Sequence, residues 1–224
     1  AAACGIKRVV YTSSVAAIGS TPKKVVKDES NWNDNFSMPY TRAKTESERR
    51  AWELAKELDI DLRVINPSGV LGGSFSRPTP STDIIGDAMK GKYPVVPKIP
   101  LAFVHVADVA TAHRLAYEVD EAHGRYILAP YQNGTIHDLL KRAKKLYPKM
   151  KFPRFGIPLW LLPAVVFQDW FMGLFSGKRL LTRSAAKSFS KGDSKYSSKK
   201  AENELGITWK SYDDCIHDTV EAYK

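Results

Sequence analysis

Lys7-Arg8-Val9-Val10-Tyr11-Thr12-Ser13-Ser14 decides the fold. Its β-branched and aromatic residues read as a buried strand, and the hydroxyl residues end it. Upstream, Ala1-Ala2-Ala3-Cys4-Gly5 reads as the last turn of a helix closed by a glycine C-cap. A chain that opens this way looks cut from something longer. Downstream of a polar loop over 20–36, a helix is expected from about Ser37 to Leu58. Ser37 would be its N-cap, Pro39 would lie in its first turn, and Glu46 and Glu48 would complement the helix dipole. Leu62-Arg63-Val64-Ile65-Asn66 is a second strand, stopped by Pro67 and by the glycines at 69, 72 and 73. A helix over 81–91 follows, then a strand Phe103–Val106, a helix capped by Asp108 and running to Tyr117, a strand Tyr126–Leu128 and a helix Thr135–Tyr147. Strands that alternate with helices predict an α/β fold with a parallel sheet.

Composition agrees. The chain has 224 residues, 43% of them hydrophobic and 26% charged, which suits a packed domain and excludes a disordered or collagen-like chain. Two cysteines, Cys4 and Cys215, make neither a disulfide framework nor a CxxC metal site, so a reducing, cytoplasmic setting is expected. Neither a signal peptide nor an uninterrupted apolar run of about 18 residues is readable.

The net charge of +10 is local: residues 141–200 carry 15 basic and 2 acidic groups, whereas 1–140 carry 17 and 16. No finger or RNP-type motif accompanies the basic segment, so nucleic acid is not expected as a partner. Within it, Ile157–Phe175 is rich in Trp and Phe. Three roles compete for 149–183: a substrate lid or lobe, a peripheral membrane patch, and a homodimer or partner surface. The chain therefore divides into a sheet domain over 1–150 and a basic, aromatic lobe with a C-terminal helix over 151–224.

Chemistry gathers at Ser14, Tyr40 and Lys44. Tyr40 and Lys44 are four apart and share a helix face. A phenol loses its proton near pH ~10, and an adjacent ammonium lowers that value by favouring phenolate. Such a tyrosine can protonate a developing alkoxide near neutral pH. Ser14 leaves the sheet at the carboxyl end of its strand, where α/β sheets bind ligands. The spacing alone is weak. Ten tyrosines and 22 lysines give about one Tyr-x-x-x-Lys by chance, and the chain has three, the others being Tyr147/Lys151 and Tyr196/Lys200. Only Tyr40 has a Ser-ended strand before it and a strand ending Asn66-Pro67-Ser68-Gly69 after it. The five histidines are scattered. His105 is expected to face a pocket, His113 to be a structural group, and no metal site is expected.

These segments, in this order, resemble the extended short-chain dehydrogenase/reductase family of the NAD-dependent epimerase/dehydratase type. The matching stretches are Val9–Ala17, Tyr40-Thr41-Arg42-Ala43-Lys44, Asn66–Gly72, Phe103–His113 and Lys200–Trp209. Within the family, the chain looks most like the dihydroflavonol-reductase and hydroxysteroid-dehydrogenase branch. The resemblance implies the C-terminal part of a Rossmann-like doubly wound sheet with a small substrate-binding lobe. It implies NAD or NADP as cofactor and a small carbonyl or alcohol as substrate. Ser14 would orient the carbonyl, Tyr40 would be the acid/base, and Lys44 would bind the nicotinamide ribose. Pro67 and Ser68 would line the carboxamide, and Thr12 and Ser13 would border the cofactor. The family's glycine-rich phosphate turn is not found in these residues. That implies absent strand–helix units on the order of 100 residues at ~30 per βαβ unit. A nucleotide-sugar epimerase or dehydratase on the same triad, and a non-catalytic binding protein, are the alternatives.

Overall fold

The computed structural model describes residues 1–20, 25–73, 76–93, 95–153, 155–161 and 195–224. Residues 162–183, and with them most of the basic lobe expected over 149–183, lie outside the described residues. At the start of the chain, a 3-10 turn over Ala2–Cys4 ends at Gly5, whose φ of 70° is the left-handed cap expected there.

Three strands form the central parallel sheet, in the order β1 (Arg8–Thr12), β2 (Asp61–Pro67), β6 (Gly124–Leu128). Period-two alternation in β2 shows why helices cover both faces. Leu62 and Val64 pack with Val9, Tyr11, Trp52 and Ala55 beneath α1 (Pro39–Glu57). Ile65 packs on the opposite face with Val10, Ala112 and Ala116 of α3 (Val106–Glu118), and with Ala201 and Leu205 of α5 (Lys199–Leu205). The sheet is therefore doubly wound. Arg63 shares Ile65's face and is almost fully buried. Its Nη1 donates to the carbonyls of Ala116 at 2.7 Å and Val119 at 2.5 Å, closing the C-terminus of α3.

A second sheet holds β3 (Gly69–Leu71), β5 (Pro100–His105) and β7 (Tyr131–Thr135), with β3 parallel and β7 antiparallel to β5. Only Ala129 and Pro130 separate β6 from β7, so the chain passes directly from the central sheet to the second one. Another short parallel pair joins β4 (Val95–Pro97) to β8 (Phe155–Ile157). The largest core packs Leu71 and Phe103 against α2 (Pro80–Met89), α4 (Ile136–Leu146) and α6 (Tyr212–Glu221) through Ile85, Leu139, Leu140, Ile216 and Val220.

Caps explain most helix starts and correct two expectations. Thr79 with Thr82, and Thr135 with Asp138, form capping boxes on α2 and α4. The N-cap of α1 is Met38, not Ser37, and Met38 offers no side-chain cap. The Ser37 N–H is instead taken by Asn35 Oδ1 at 3.1 Å. α3 is capped by His105, not Asp108: His105 Nδ1 accepts from the Ala107 N–H at 3.0 Å. Asp108 lies in the first turn and accepts from the Lys210 N–H at 3.1 Å. Because Nδ1 accepts, Nε2 carries the ring proton, and it donates to Asp218 at 3.1 Å. His105 is thus buried as a cap and does not border the cleft described below, contrary to the expected pocket-facing role.

Candidate active site

Ser13 and Ser14 follow β1 at its carboxyl end, and a 3-10 turn over Val15–Ala17 carries the chain away from the sheet. Ser14 has extended backbone, φ −166°, and its Oγ accepts from the Ala16 N–H at 3.1 Å. The oxygen is engaged as an acceptor while the hydroxyl proton stays available to a substrate oxygen. The loop into α1 is set by Asn33, which is buried. Its N–H donates to the Ala17 carbonyl at 2.8 Å, and its Nδ2 donates to the Asn35 carbonyl at 3.1 Å and to Thr45 Oγ1 at 3.2 Å. This loop delivers Tyr40 into the first turn of α1, where the ring is 57% exposed. Lys44 is one turn further on and half-buried.

A cleft of about 730 Å³ opens between these elements. Thr12, Ser13, Ser14, Tyr40, Pro67 and Ser68 all border it. Lys44, the remaining predicted site residue, does not border it. Apolar Met38, Val70, Leu101 and Ala102 also line it, together with uncharged polar groups such as Asn33, Asn35 and Thr79. No Lys, Arg, Asp or Glu is among the described residues that line it. Thr12 Oγ1 is 2.6 Å from His113 Nε2, and His113 Nδ1 donates to the Val109 carbonyl at 2.8 Å, so the threonine hydroxyl is the donor to the ring. His113 thereby fills the structural role expected of it. The Ser68 hydroxyl donates to the Leu128 carbonyl at 2.9 Å, which ties the β2–β3 junction to β6. Among the described residues, no group of three or more His, Cys, Asp or Glu is gathered as a metal would require.

Sequence reading assigned no role at the site to Tyr196, Glu48, Asn66 or Arg125. Tyr196 is buried against the cleft and donates its hydroxyl to the Gly19 carbonyl at 3.1 Å. Burial pushes its phenol up to about 12, so it stays protonated near neutrality. Glu48 was read as a dipole complement near the helix start, yet it is wholly buried. It accepts from Ser13, Asn66 and Arg125. The available signal was its register, four residues past Lys44 and eight past Tyr40, which puts a charge on the face that meets the sheet.

The nicotinamide end of a dinucleotide fits this geometry: hydroxyls and a Pro-Ser junction converge at the carboxyl ends of parallel strands, beside an uncharged wall.

Comparison with known proteins identifies the family. Cinnamoyl-CoA reductase 2 of Medicago truncatula is 37% identical over 155 residues, which cover 64% of this chain and 46% of that protein. The chain spans about half the length of the curated relatives it matches. The crystal structure of gox2253 superposes with a TM-score of 0.81 at 28% identity, covering 99% of this chain and 67% of that one. Gre2 of Candida albicans in complex with NADPH superposes with a TM-score of 0.69 at 25% identity, covering 97% and 64%. The sequence profile of the NAD dependent epimerase/dehydratase family matches residues 1–129, more than half of the chain. With Ser14 and Tyr40 on one cleft of a doubly wound parallel sheet, the chain belongs to the NAD-dependent epimerase/dehydratase family.

Proposed function

We propose that the protein is an NAD(P)-dependent oxidoreductase that reduces a ketone or aldehyde, or oxidises the corresponding alcohol. The observation that carries this reading is the meeting of Ser14, at the end of β1, with Tyr40, at the start of α1, on one cleft. The dinucleotide, when bound, supplies or accepts the hydride. Ser14 donates a hydrogen bond from its hydroxyl, which keeps its proton, to the substrate carbonyl oxygen and fixes its direction. Tyr40 gives its phenolic proton to the same oxygen as charge develops there. Lys44, a turn past Tyr40 on the same helix and outside the described cleft lining, holds the nicotinamide ribose. Pro67 and Ser68 border the carboxamide, and Thr12 and Ser13 border the cofactor. The cinnamoyl-CoA reductase relative and the NADPH complex of Gre2 support reduction with NADPH.

The uncharged, apolar wall favours a small, neutral substrate over a sugar diphosphate, which would call for Lys or Arg at the described lining. Incubating the full-length protein with NADPH and two substrate panels tests this. Uncharged aryl and alkyl carbonyls should yield alcohol, and nucleotide-diphosphate sugars should come through unchanged. Turnover confined to the sugars would assign the epimerase or dehydratase role instead. NADPH binding without turnover of either panel would assign a non-catalytic one.

A further inference from the structure

Beneath the cleft, a single carboxylate joins every element that carries the proposed chemistry. Glu48 Oε2 accepts from Ser13 Oγ at 2.5 Å and from Asn66 Nδ2 at 2.8 Å, and its Oε1 accepts from Arg125 Nε at 2.6 Å. Ser13 adjoins Ser14 in sequence, and Asn66 Nδ2 also donates to the Ser14 carbonyl at 3.2 Å. Glu48 itself rides on α1, two turns past Tyr40. The grip therefore spans β1, β2, β6 and α1. Arg125 extends it to the loop before α1: Nη1 donates to the carbonyls of Glu29 at 3.0 Å and Asn31 at 2.6 Å, and the guanidinium stacks on Trp32 at 3.9 Å.

Stability alone does not call for this pair. A buried ion pair is often no better than apolar residues of the same volume, because both charges must be desolvated. What the carboxylate supplies is direction. Asn66 spends Nδ2 on Glu48 and Ser14 while its own Oδ1, which is buried, has no partner among the described residues. Turning that amide would bring Oδ1 against the carboxylate and the Ser14 carbonyl, so Glu48 holds it one way round.

We propose that Glu48, with Arg125 as its counter-charge, is a positioning residue that sets the Ser14 strand end against the Tyr40 helix. The grip is independent of the substrate, while its effect on turnover rests on the reductase reading. The deciding variants are E48L/R125M, which removes both charges together, and E48D, which keeps the charge on a shorter arm. Rates are measured in the full-length protein per NADPH-binding site, with KM for a carbonyl substrate. Amide hydrogen exchange over 13–17 is followed in parallel.

For E48L/R125M, the expected result is a folded protein that binds NADPH with KM within about threefold of wild type and loses on the order of 10²-fold in kcat. Exchange over 13–17 should accelerate, and E48D should fall between the two. A double variant with wild-type kcat and unchanged exchange would overturn the proposal. So would a loss confined to the number of binding sites, which would mark a purely structural role. Should E48L/R125M fail to fold, E48D decides by the same two readouts. If the wild type reduces no carbonyl, the reductase reading fails, and the exchange result alone then decides whether Glu48 holds Ser14 in place.

Discussion

Ser14 serves two purposes with one hydroxyl, and its replacement should separate them. Losing the bond from the Ala16 N–H costs an N-cap, about 0.5–2 kcal/mol. Losing the proton aimed at the carbonyl costs rate. Ser14→Ala should therefore lower the urea midpoint modestly and depress kcat further than that instability explains. Equal stability with equal kcat would remove Ser14 from both roles. Tyr147→Phe is the control for the tyrosines, because its hydroxyl donates to Glu221 on a different face and does not border the cleft. Tyr196 cannot serve as one, since it is buried beside the cleft. At this scale, the meeting of Ser14 and Tyr40 on one cleft was legible from residue type and order along the chain. Glu48, Asn66 and Arg125 were not, because their partners are far away in sequence: Glu48 meets Arg125 across 77 positions and Ser13 across 35. Helix register could put Glu48 near the Tyr40–Lys44 face, but it could not show that the carboxylate closes a buried network with Ser13, Asn66 and Arg125.

Among the elements, Gly72 is held where β3 gives way to the loop before α2. Its φ of 124° is a glycine conformation, and an added Cβ would lie 2.7 Å from Val106 Cγ1. Its N–H donates to Thr219 Oγ1 at 2.7 Å, which ties β3 to α6. Gly72→Ala should therefore destabilise by about 1–3 kcal/mol, seen as a lower urea midpoint. An unchanged midpoint would mean that the neighbours yield freely.

α4 and α6 are also joined by Arg142, whose Nε and Nη2 reach the two oxygens of Asp213 at 2.5 and 3.1 Å. The hydrogen bond from Arg142 holds the Asp213 carboxyl below its ordinary value. A lowered carboxylate pKa adds stability above its unfolded value, and that stability is lost as pH falls through the folded one. Both side chains are half exposed, so the pair is worth less than about 1 kcal/mol. Asp213→Asn should show that small loss at neutral pH, and the difference from wild type should close on acidification below the carboxylate range. A gap that persisted in acid would show that the charge is not its source.

The longer helices and the three main strands could be read from periodicity, whereas the capping boxes at Thr79 and Thr135 came only with the structure. The three-residue strands β3, β4 and β8 could not, because three residues are too few for alternation to register. Their existence depends on partners brought up by the rest of the fold. His105 displaced the expected Asp108 cap for a similar reason: a ring nitrogen at the strand end is readable as a cap only once the helix start is known.

For the molecule as a whole, β1 pairs with β2 along one edge only among the described residues. Its residues Arg8–Tyr11 are half-buried, whereas Leu62–Pro67 of β2 are buried throughout. An open, β-branched edge of this kind recruits another strand. Residues 1–224 also contain no glycine-rich turn to hold a pyrophosphate at a helix N-terminus. By themselves they should therefore bind NADPH weakly and elute larger than a monomer in size-exclusion chromatography. Micromolar binding by a monodisperse monomer would contradict that expectation.

The claim that Tyr40 protonates a carbonyl in an NAD(P)-dependent reduction is tested most directly by a single comparison. NADPH consumption and alcohol formation are measured for the full-length wild type and for Tyr40→Phe, with cofactor binding checked in both. Wild type should form one alcohol per NADPH consumed. The variant should bind cofactor as well but lose about 10²–10⁴-fold in kcat. Wild-type kcat in Tyr40→Phe would contradict the assignment.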